Sequence, residues 1–117
     1  PYITRTTTTK ENKMKLNEYQ KAAKSTAIYP KERAIEYLSC GLASEAGEVT
    51  GKVAKFYRKD GDFPTRDVIE ELGDVLWFVS QFAYELGYTL EEVAKINKEK
   101  LQSRKKRGTL KGNGDTR

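Results

Sequence analysis

The sequence contains no histidine and a single cysteine among its 117 residues. Without histidine the chain cannot form a Ser-His-Asp or Cys-His nucleophile system, a histidine-ligated zinc or haem site, or a Glu-x-x-His di-iron site. Any bound metal must then be a hard cation held by carboxylate oxygens, such as Mg²⁺, Mn²⁺ or Ca²⁺. The single Cys40 excludes an intrachain disulfide, which fits a reducing compartment. Its small and apolar neighbours predict a buried thiol.

The sequence also has no long apolar run. No stretch approaches the roughly 20 residues needed to cross a bilayer, and residues 1–15 lack the apolar segment of a signal peptide. We therefore expect a soluble, cytoplasmic protein with no membrane contact. Its length fits one compact domain, small enough that self-association is expected. Within it we expect a flexible N-terminal arm over residues 1–14, a helical domain over 15–106 and a glycine-rich basic tail over 107–117.

The net charge of +5 is distributed unevenly. Residues 31–94 carry 7 basic and 13 acidic side chains, whereas residues 95–117 carry 9 basic and 2 acidic ones. This division argues against a uniformly basic nucleic-acid binder. A module that binds nucleic acid or an acidic partner through Lys95 to Lys111 stays open as the main alternative. A helical self-association module without catalysis is a third hypothesis. Neither explains the paired carboxylates described below.

Apolar residues recur every three or four positions, which predicts an all-α fold of four helices with two long central ones. The first helix starts at Lys15 and stops before Pro30, and the second runs from about Lys31 to Arg58. Lys59 to Pro64 has the composition of a turn. The third helix starts with Thr65 as its N-cap and ends at Gly87, and the fourth begins at a capping box formed by Thr89 and Glu92. The second helix contains three glycines that need a reason such as close helix contact or a kink: Gly41, Gly47 and Gly51.

Two pairs of acidic residues lie at the border of the predicted core. Glu45 and Glu48 are three apart on the second helix, and Glu71 and Asp74 are three apart on the third, so each pair shares one side of its helix. Glu45 lies about 20° around the helix from Leu38, and Glu71 about 20° from Phe78, at the edge of each apolar face. Four converging carboxylates would repel one another unless cations lay between them. The pattern therefore indicates a divalent metal site, and magnesium bound to carboxylates is suited to phosphate chemistry. Ordinary ion pairs with Lys52, Lys55, Arg58 or Lys100 are the structural alternative.

These residues resemble the E-x-x-E…E-x-x-D signature of the MazG-like all-α nucleoside triphosphate pyrophosphohydrolases. The likeness runs from Glu45-Ala46-Gly47-Glu48 to Glu71-Leu72-Gly73-Asp74, and continues through Asn97-x-x-Lys100-Leu101-x-x-Arg104 and the glycine-rich tail. It covers about residues 15–117 and is closest to the short single-domain members, including those encoded by phages.

The resemblance implies hydrolysis of a nucleoside triphosphate between its α and β phosphates, with Mg²⁺ (or Mn²⁺ in its place), to give a monophosphate and pyrophosphate. Glu45, Glu48, Glu71 and Asp74 would bind the metal. The alternative is that one of the first pair orients or deprotonates the attacking water instead, and the sequence does not say which. The residues implied to contact phosphates or sugar are Lys52, Lys55, Asn97, Lys100 and Arg104. Family members work as dimers or tetramers, so a homo-oligomer is expected.

The base and sugar are less constrained. Trp77, Phe78 and Tyr84 are candidates to stack on a base, although aromatic residues at helical spacing are more often core or interface residues. A deoxynucleotide, with a weak preference for a purine such as dGTP, is the expected substrate. Polymeric nucleic acid is not expected as a partner.

Overall fold

The computed structural model describes residues 13–117, and within that range the chain forms four α-helices and no β-strand. The helices are α1 (Leu16–Lys24), α2 (Ala34–Tyr57), α3 (Thr65–Glu85) and α4 (Leu90–Arg107), with a short 3₁₀ turn at Lys31–Arg33 before α2. This confirms the predicted all-α class and its two long central helices. The expected N-terminal arm falls almost entirely outside the described residues.

Helices α2 and α3 form an antiparallel pair joined by a short turn. Gly41 lies opposite Phe78 and Glu45 lies opposite Asp74, so the numbering rises along α2 as it falls along α3. Helix α3 also packs against α1 and α4, whereas α2 packs against no other α-helix of the described chain. The fold is therefore centred on α3, and one side of α2 faces outward along its length.

The turn at residues 58–64 agrees with its prediction. Lys59 has φ 69° and Gly61 φ 103°, so two left-handed residues reverse the chain within this segment. The predicted N-cap at its end is wrong, because Pro64 holds the cap position and Thr65 is the first helical residue. The Thr65 hydroxyl is buried and makes no hydrogen bond in the structure.

Helix α4 begins as the sequence predicts. The Thr89 hydroxyl accepts a hydrogen bond from the Glu92 backbone N–H at 3.1 Å, and the Glu92 carboxylate accepts one from the Thr89 N–H at 2.9 Å. Hydrogen bonding to this backbone amide and hydroxyl lowers the pKa of Glu92. These reciprocal bonds satisfy two backbone donors that would otherwise lack a partner at the helix start.

A buried glutamine ties α1 to the junction of α3 and α4. Gln20 donates through Nε2 to the carbonyls of Ser80 at 2.9 Å and Tyr88 at 3.2 Å, and its Oε1 accepts the Leu90 N–H at 3.0 Å. All three of these hydrogen bonds join groups that are close in space but 60–70 residues apart in the chain. Gln20 thus fixes where α4 leaves the end of α3.

The buried core is smaller than the apolar pattern predicts. Its buried hydrophobic residues are Ala23, Ala34, Leu38, Ala83 and Leu90. On α3, the predicted apolar face is split, because Ile69, Leu72 and Leu76 are exposed to 55%, 46% and 39%. The prediction of a buried Cys40 is wrong for the same reason: its thiol lies on the outward side of α2 and is exposed.

The three glycines of α2 differ in their surroundings. A Cβ atom at Gly41 would overlap the ring of Phe78, whereas one at Gly47 or Gly51 would have no neighbour within 4 Å. Close helix contact thus explains Gly41 alone. Since glycine costs about 1 kcal/mol relative to alanine inside a helix, nothing in the protomer explains the other two.

The tail after α4 folds back onto that helix. Gly108, with φ 71°, ends α4 in the left-handed conformation typical of a helix C-terminus. Arg104 is buried and its Nη2 donates to Asp115 Oδ1 at 3.1 Å and to the Gly114 carbonyl at 3.2 Å, while Lys100 Nζ lies 3.2 Å from the same carboxylate. Hydrogen bonds and charge from Arg104 and, next in effect, from Lys100 hold the pKa of Asp115 below its usual range.

None of the helices in residues 13–117 combines the length and the apolar character that a membrane span requires.

Candidate active site

Three carboxylates meet where α2 crosses α3. One oxygen from each of Glu45, Glu71 and Asp74 lies within 4.8 Å of the other two. Glu45 and Glu71 are half-buried and Asp74 is exposed. Oxygen atoms at this spacing, from side chains open to water on one side, suit a hard divalent cation that keeps some of its waters.

The electrostatics of the cluster show that it is short of positive charge. Partial burial raises the pKa of Glu45, and the neighbouring charge of Asp74, contact with Glu71 and the charge of Glu48 raise it further. Among residues 13–117, no lysine or arginine acts against this shift. A bound divalent cation would relieve this repulsion, because it favours the ionised form of each carboxylate.

Glu48 lies beside the cluster rather than within it. It is one turn further along α2 and exposed, and its oxygens are not part of the three-carboxylate group. It is near enough for its charge to act on Glu45. The structure therefore brings together three of the four predicted metal ligands and leaves Glu48 at their edge.

Two predicted phosphate-binding lysines continue the same side of α2. Glu45, Glu48, Lys52 and Lys55 follow one another at intervals of three and four residues, which places them in one stripe along the helix. Lys52 lies about 10 Å along the axis from Glu45, at 1.5 Å per residue. Both lysines border a cavity of about 240 Å³ at the turn between α2 and α3, which is also lined by Asp60, Asp62 and Asp67.

A larger cleft lies on the opposite side of the carboxylates, towards the start of α2. Its volume is about 580 Å³, and Glu45 forms part of its wall. Tyr37 and Phe78 contribute aromatic rings, and Arg33 and Glu36 contribute an ion pair with an N···O distance of 3.1 Å. The complete lining is Pro30, Arg33, Glu36, Tyr37, Cys40, Gly41, Ser44, Glu45 and Phe78.

An aromatic cluster supports this cleft from behind. Phe78 contacts Tyr37 with ring centroids 5.9 Å apart and Trp77 at 4.9 Å, and Tyr29 stacks on Tyr37 at 5.5 Å. Trp77 itself does not line the cleft, and its indole N–H donates to the Thr26 hydroxyl at 2.8 Å. The predicted base-contacting Trp77 thus lies one ring behind the surface that a ligand would meet.

The remaining predicted substrate contacts lie on α4. Asn97 is exposed, and Lys100 and Arg104 form ion pairs with Asp115 of the tail. Helix α4 makes no contact with α2 in the protomer. The single chain therefore does not join these three residues to the carboxylate cluster, and their contact with phosphate or sugar stays a prediction.

Sequence reasoning missed several neighbours of the site. Tyr19 of α1 is close to Asp74: burial, and then the charge of Asp74, raise the pKa of its phenol. Arg33, Glu36 and Ser44 line the cleft without belonging to any motif. Helical spacing offered a signal for Gly41, which precedes Glu45 by four positions and so shares its side of α2, but nothing in the sequence marked Tyr19.

Two comparisons with known proteins found a match. A family model described as the MazG nucleotide pyrophosphohydrolase domain matches residues 33–109, which include the carboxylates, α4 and the lining of both cavities except Pro30. The Gene 37 protein of Mycobacterium phage L5 is 44% identical over 114 residues, covering 89% of this chain and 100% of that protein. No solved structure matches the chain.

Proposed function

Because this chain belongs to the MazG nucleotide pyrophosphohydrolase family, we propose that it hydrolyses a nucleoside triphosphate between the α and β phosphates. The products are a nucleoside monophosphate and pyrophosphate. The reaction depends on Mg²⁺, for which Mn²⁺ can substitute. A deoxynucleotide is the proposed substrate.

The observation that carries this proposal is the order of chemical groups along the α2–α3 pair. The 580 Å³ cleft with its aromatic wall comes first, the carboxylates Glu45, Glu71 and Asp74 come next, and Lys52 and Lys55 follow at the turn. A nucleoside triphosphate has the same order of parts: a planar base and sugar, then the α and β phosphates, then the γ phosphate. The substrate would lie along this line with its base in the cleft.

The carboxylates have two proposed roles. Glu45, Glu71 and Asp74 hold the metal, which when bound neutralises charge on the phosphates and lowers the pKa of a water molecule. Glu48 stands beside the three ligands and has an exposed carboxylate. We assign it to orient the attacking water, because a carboxylate can accept a hydrogen bond from that water without holding the metal.

The cleft supports a preference for guanine among the bases. A guanine presents adjacent N–H donors and a carbonyl acceptor, whereas adenine lacks both that carbonyl and the N1–H. Glu36 can accept from the donors and Arg33 can donate to the carbonyl, since the two side chains lie together at the cleft. This arrangement favours dGTP over the other deoxynucleotides.

A second copy of the chain is part of the proposal. Ile69, Leu72 and Leu76 form an exposed apolar stripe on α3, and a stripe of this spacing is typical of a helix that packs against another helix. We propose a homodimer or homotetramer that covers it. Such an assembly also offers a route for Lys100 and Arg104 of one copy to approach the carboxylates of another. The phage relative supports the cytoplasm of a bacterial host as the place of action.

The test is a panel of the four deoxynucleoside and four ribonucleoside triphosphates, each incubated with the protein and Mg²⁺ and separated by anion-exchange chromatography. We expect monophosphate to appear with dGTP turned over fastest, and no reaction in excess EDTA. No turnover of any nucleotide would contradict the proposal, as would diphosphate as the first product. Tight, salt-sensitive binding of DNA by the same preparation would favour the alternative binding module.

A further inference from the structure

Phe78 lies directly against the backbone of α2 at Gly41. A Cβ atom built on Gly41 would overlap Cε1 and Cζ of the Phe78 ring and lie 2.7 Å from its Cδ1. Real Cβ atoms essentially never come this close to a neighbour. The ring can occupy its position only because residue 41 has no side chain.

Both residues line the 580 Å³ cleft beside Glu45. The other sides of the Phe78 ring are occupied, because Tyr37 lies 5.9 Å away and Trp77 4.9 Å away between ring centroids. Tyr29 in turn packs on both Tyr37 and Trp77. Because Tyr37 and Trp77 border the ring on two sides and the cleft borders it on another, we expect a ring displaced from Gly41 to move into the cleft.

We propose that Gly41 is a specificity-determining residue that sets the room available to the base. With glycine at this position the Phe78 ring stays against α2, and the cleft accepts a two-ring purine. With a larger residue the ring moves into the cleft and leaves room for a one-ring pyrimidine at most. This inference rests on the proposed function and deepens it, since it names the group that selects the base.

The matched pair Gly41→Ala and Gly47→Ala tests the proposal. Both change a helical glycine of α2 to alanine, but the new methyl group meets Phe78 at position 41 and nothing within 4 Å at position 47. In Gly41→Ala we expect KM for dGTP to rise about tenfold, the scale of a size mismatch in a fitted pocket, with a smaller rise for dCTP. Because the carboxylates are unchanged, kcat should stay within about threefold of the wild type. Gly47→Ala should match the wild type in both constants.

A double variant separates a local clash from general damage. Replacing Phe78 with leucine in the Gly41→Ala protein removes the ring atoms that the methyl group would meet, so KM for dGTP should fall back towards the wild-type value. The proposal is overturned if Gly41→Ala and Gly47→Ala behave alike, or if Gly41→Ala loses kcat alone. It is also overturned if the double variant is no better than Gly41→Ala.

Binding measured without turnover keeps this test distinct from that of the proposed function. Trp77 is the only tryptophan in the sequence and contacts Phe78, so its fluorescence reports on a ligand in the cleft. Titration with the non-hydrolysable α,β-methylene analogue of dGTP should give a Kd about tenfold weaker in Gly41→Ala than in Gly47→Ala. Equal Kd values would overturn the inference even in an active enzyme. Unequal values would support it even if the wild type hydrolysed no nucleotide. Should Gly41→Ala fail to fold, Phe78→Trp alone, which places a larger ring in the cleft wall and so narrows the cleft, should weaken binding of the same analogue, and unchanged binding would contradict the proposal.

Discussion

The metal-binding role of a single carboxylate in the cluster can be tested by replacing it with the isosteric amide. Glu71→Gln keeps the size of the side chain but supplies a weaker metal ligand, so we expect kcat/KM to fall at least about 100-fold, the upper end for loss of a group that only supports a metal ligand. Glu70→Gln is the matched control, since Glu70 is the preceding residue of α3 and its weak ion pair with Arg66 is exposed. The rate of nucleotide hydrolysis at saturating Mg²⁺ is measured for both variants. Similar rates for the two variants would contradict the metal-site assignment.

The proposed preference for guanine depends on a different carboxylate, that of Glu36. Glu36→Gln keeps one acceptor oxygen but adds an N–H₂ that opposes the donors of guanine. We expect the ratio of kcat/KM for dGTP to that for dATP to fall about tenfold, within the range for one lost pocket contact. Glu32→Gln, on the 3₁₀ turn and outside the cleft, should leave the ratio unchanged. A ratio that does not respond to Glu36 would contradict guanine recognition by this side chain.

The helices show how far local patterns determine this fold. The capping box of Thr89 and Glu92 was predictable because its two partners are three residues apart. Thr65 was misassigned as a cap because the same residue type also suits the first helical position after Pro64, and the choice depends on the turn before it. The spacing of Glu45, Glu71 and Asp74 predicted a shared site, since all three lie at the edge of apolar faces that pack together.

Contacts between distant segments could not be predicted from the sequence. Gln20 looks like an ordinary polar residue of an amphipathic helix, yet it is buried and binds backbone groups near the end of α3 and at the start of α4. Cys40 and the aromatic wall of the cleft are the opposite case, in which residues predicted to be buried are not buried. Their apolar surroundings predict burial, and the structure leaves them open because, within the described part of the chain, no α-helix other than α3 packs on α2. The periodicity of apolar residues predicts which face of a helix is apolar, but not which other helix packs against that face.

The junction held by Gln20 is a test at the level of helices. Gln20→Leu removes three hydrogen bonds and leaves the Leu90 N–H and two carbonyls without that partner in a buried setting. We expect the free energy of unfolding to fall by about 2–4 kcal/mol, since each unsatisfied buried group costs about 1–3 kcal/mol and some regain water. Urea denaturation followed by circular dichroism measures the loss. Gln102→Leu, an exposed change on α4, should cost less than about 0.5 kcal/mol, and equal losses would contradict the role of Gln20.

The exposed apolar stripe on α3 predicts that copies of the whole molecule form a homo-oligomer. Leu72→Glu places a charge in the middle of Ile69, Leu72 and Leu76, and a charge buried in an apolar interface without a partner is costly. Light scattering coupled to size-exclusion chromatography should show a dimer or tetramer for the wild type and smaller species for the variant. Lys98→Glu, a charge change at an exposed site on α4, is the control. A monomeric wild type would contradict the proposed oligomer.

The acidic and basic segments of the sequence correspond to different parts of the fold. The acidic segment, with 13 acidic and 7 basic side chains, contains the carboxylate cluster, and the basic segment contains most of α4 and the tail. Within the protomer, Asp115 binds Lys100 and Arg104. Two basic residues of this segment are thus paired with the tail's own carboxylate.

Cleavage between the α and β phosphates at a carboxylate-bound metal is tested most directly by ³¹P NMR. The reaction of dGTP with Mg²⁺ is followed with the wild-type protein and with Glu71→Gln. We predict that the three triphosphate resonances of dGTP disappear together in the wild-type sample and are replaced by one pyrophosphate and one monophosphate resonance. The Glu71→Gln sample should keep its dGTP over the same time. Orthophosphate with deoxyguanosine diphosphate as the first products, or the same rate in both samples, would contradict a carboxylate-bound metal site that cleaves between the α and β phosphates.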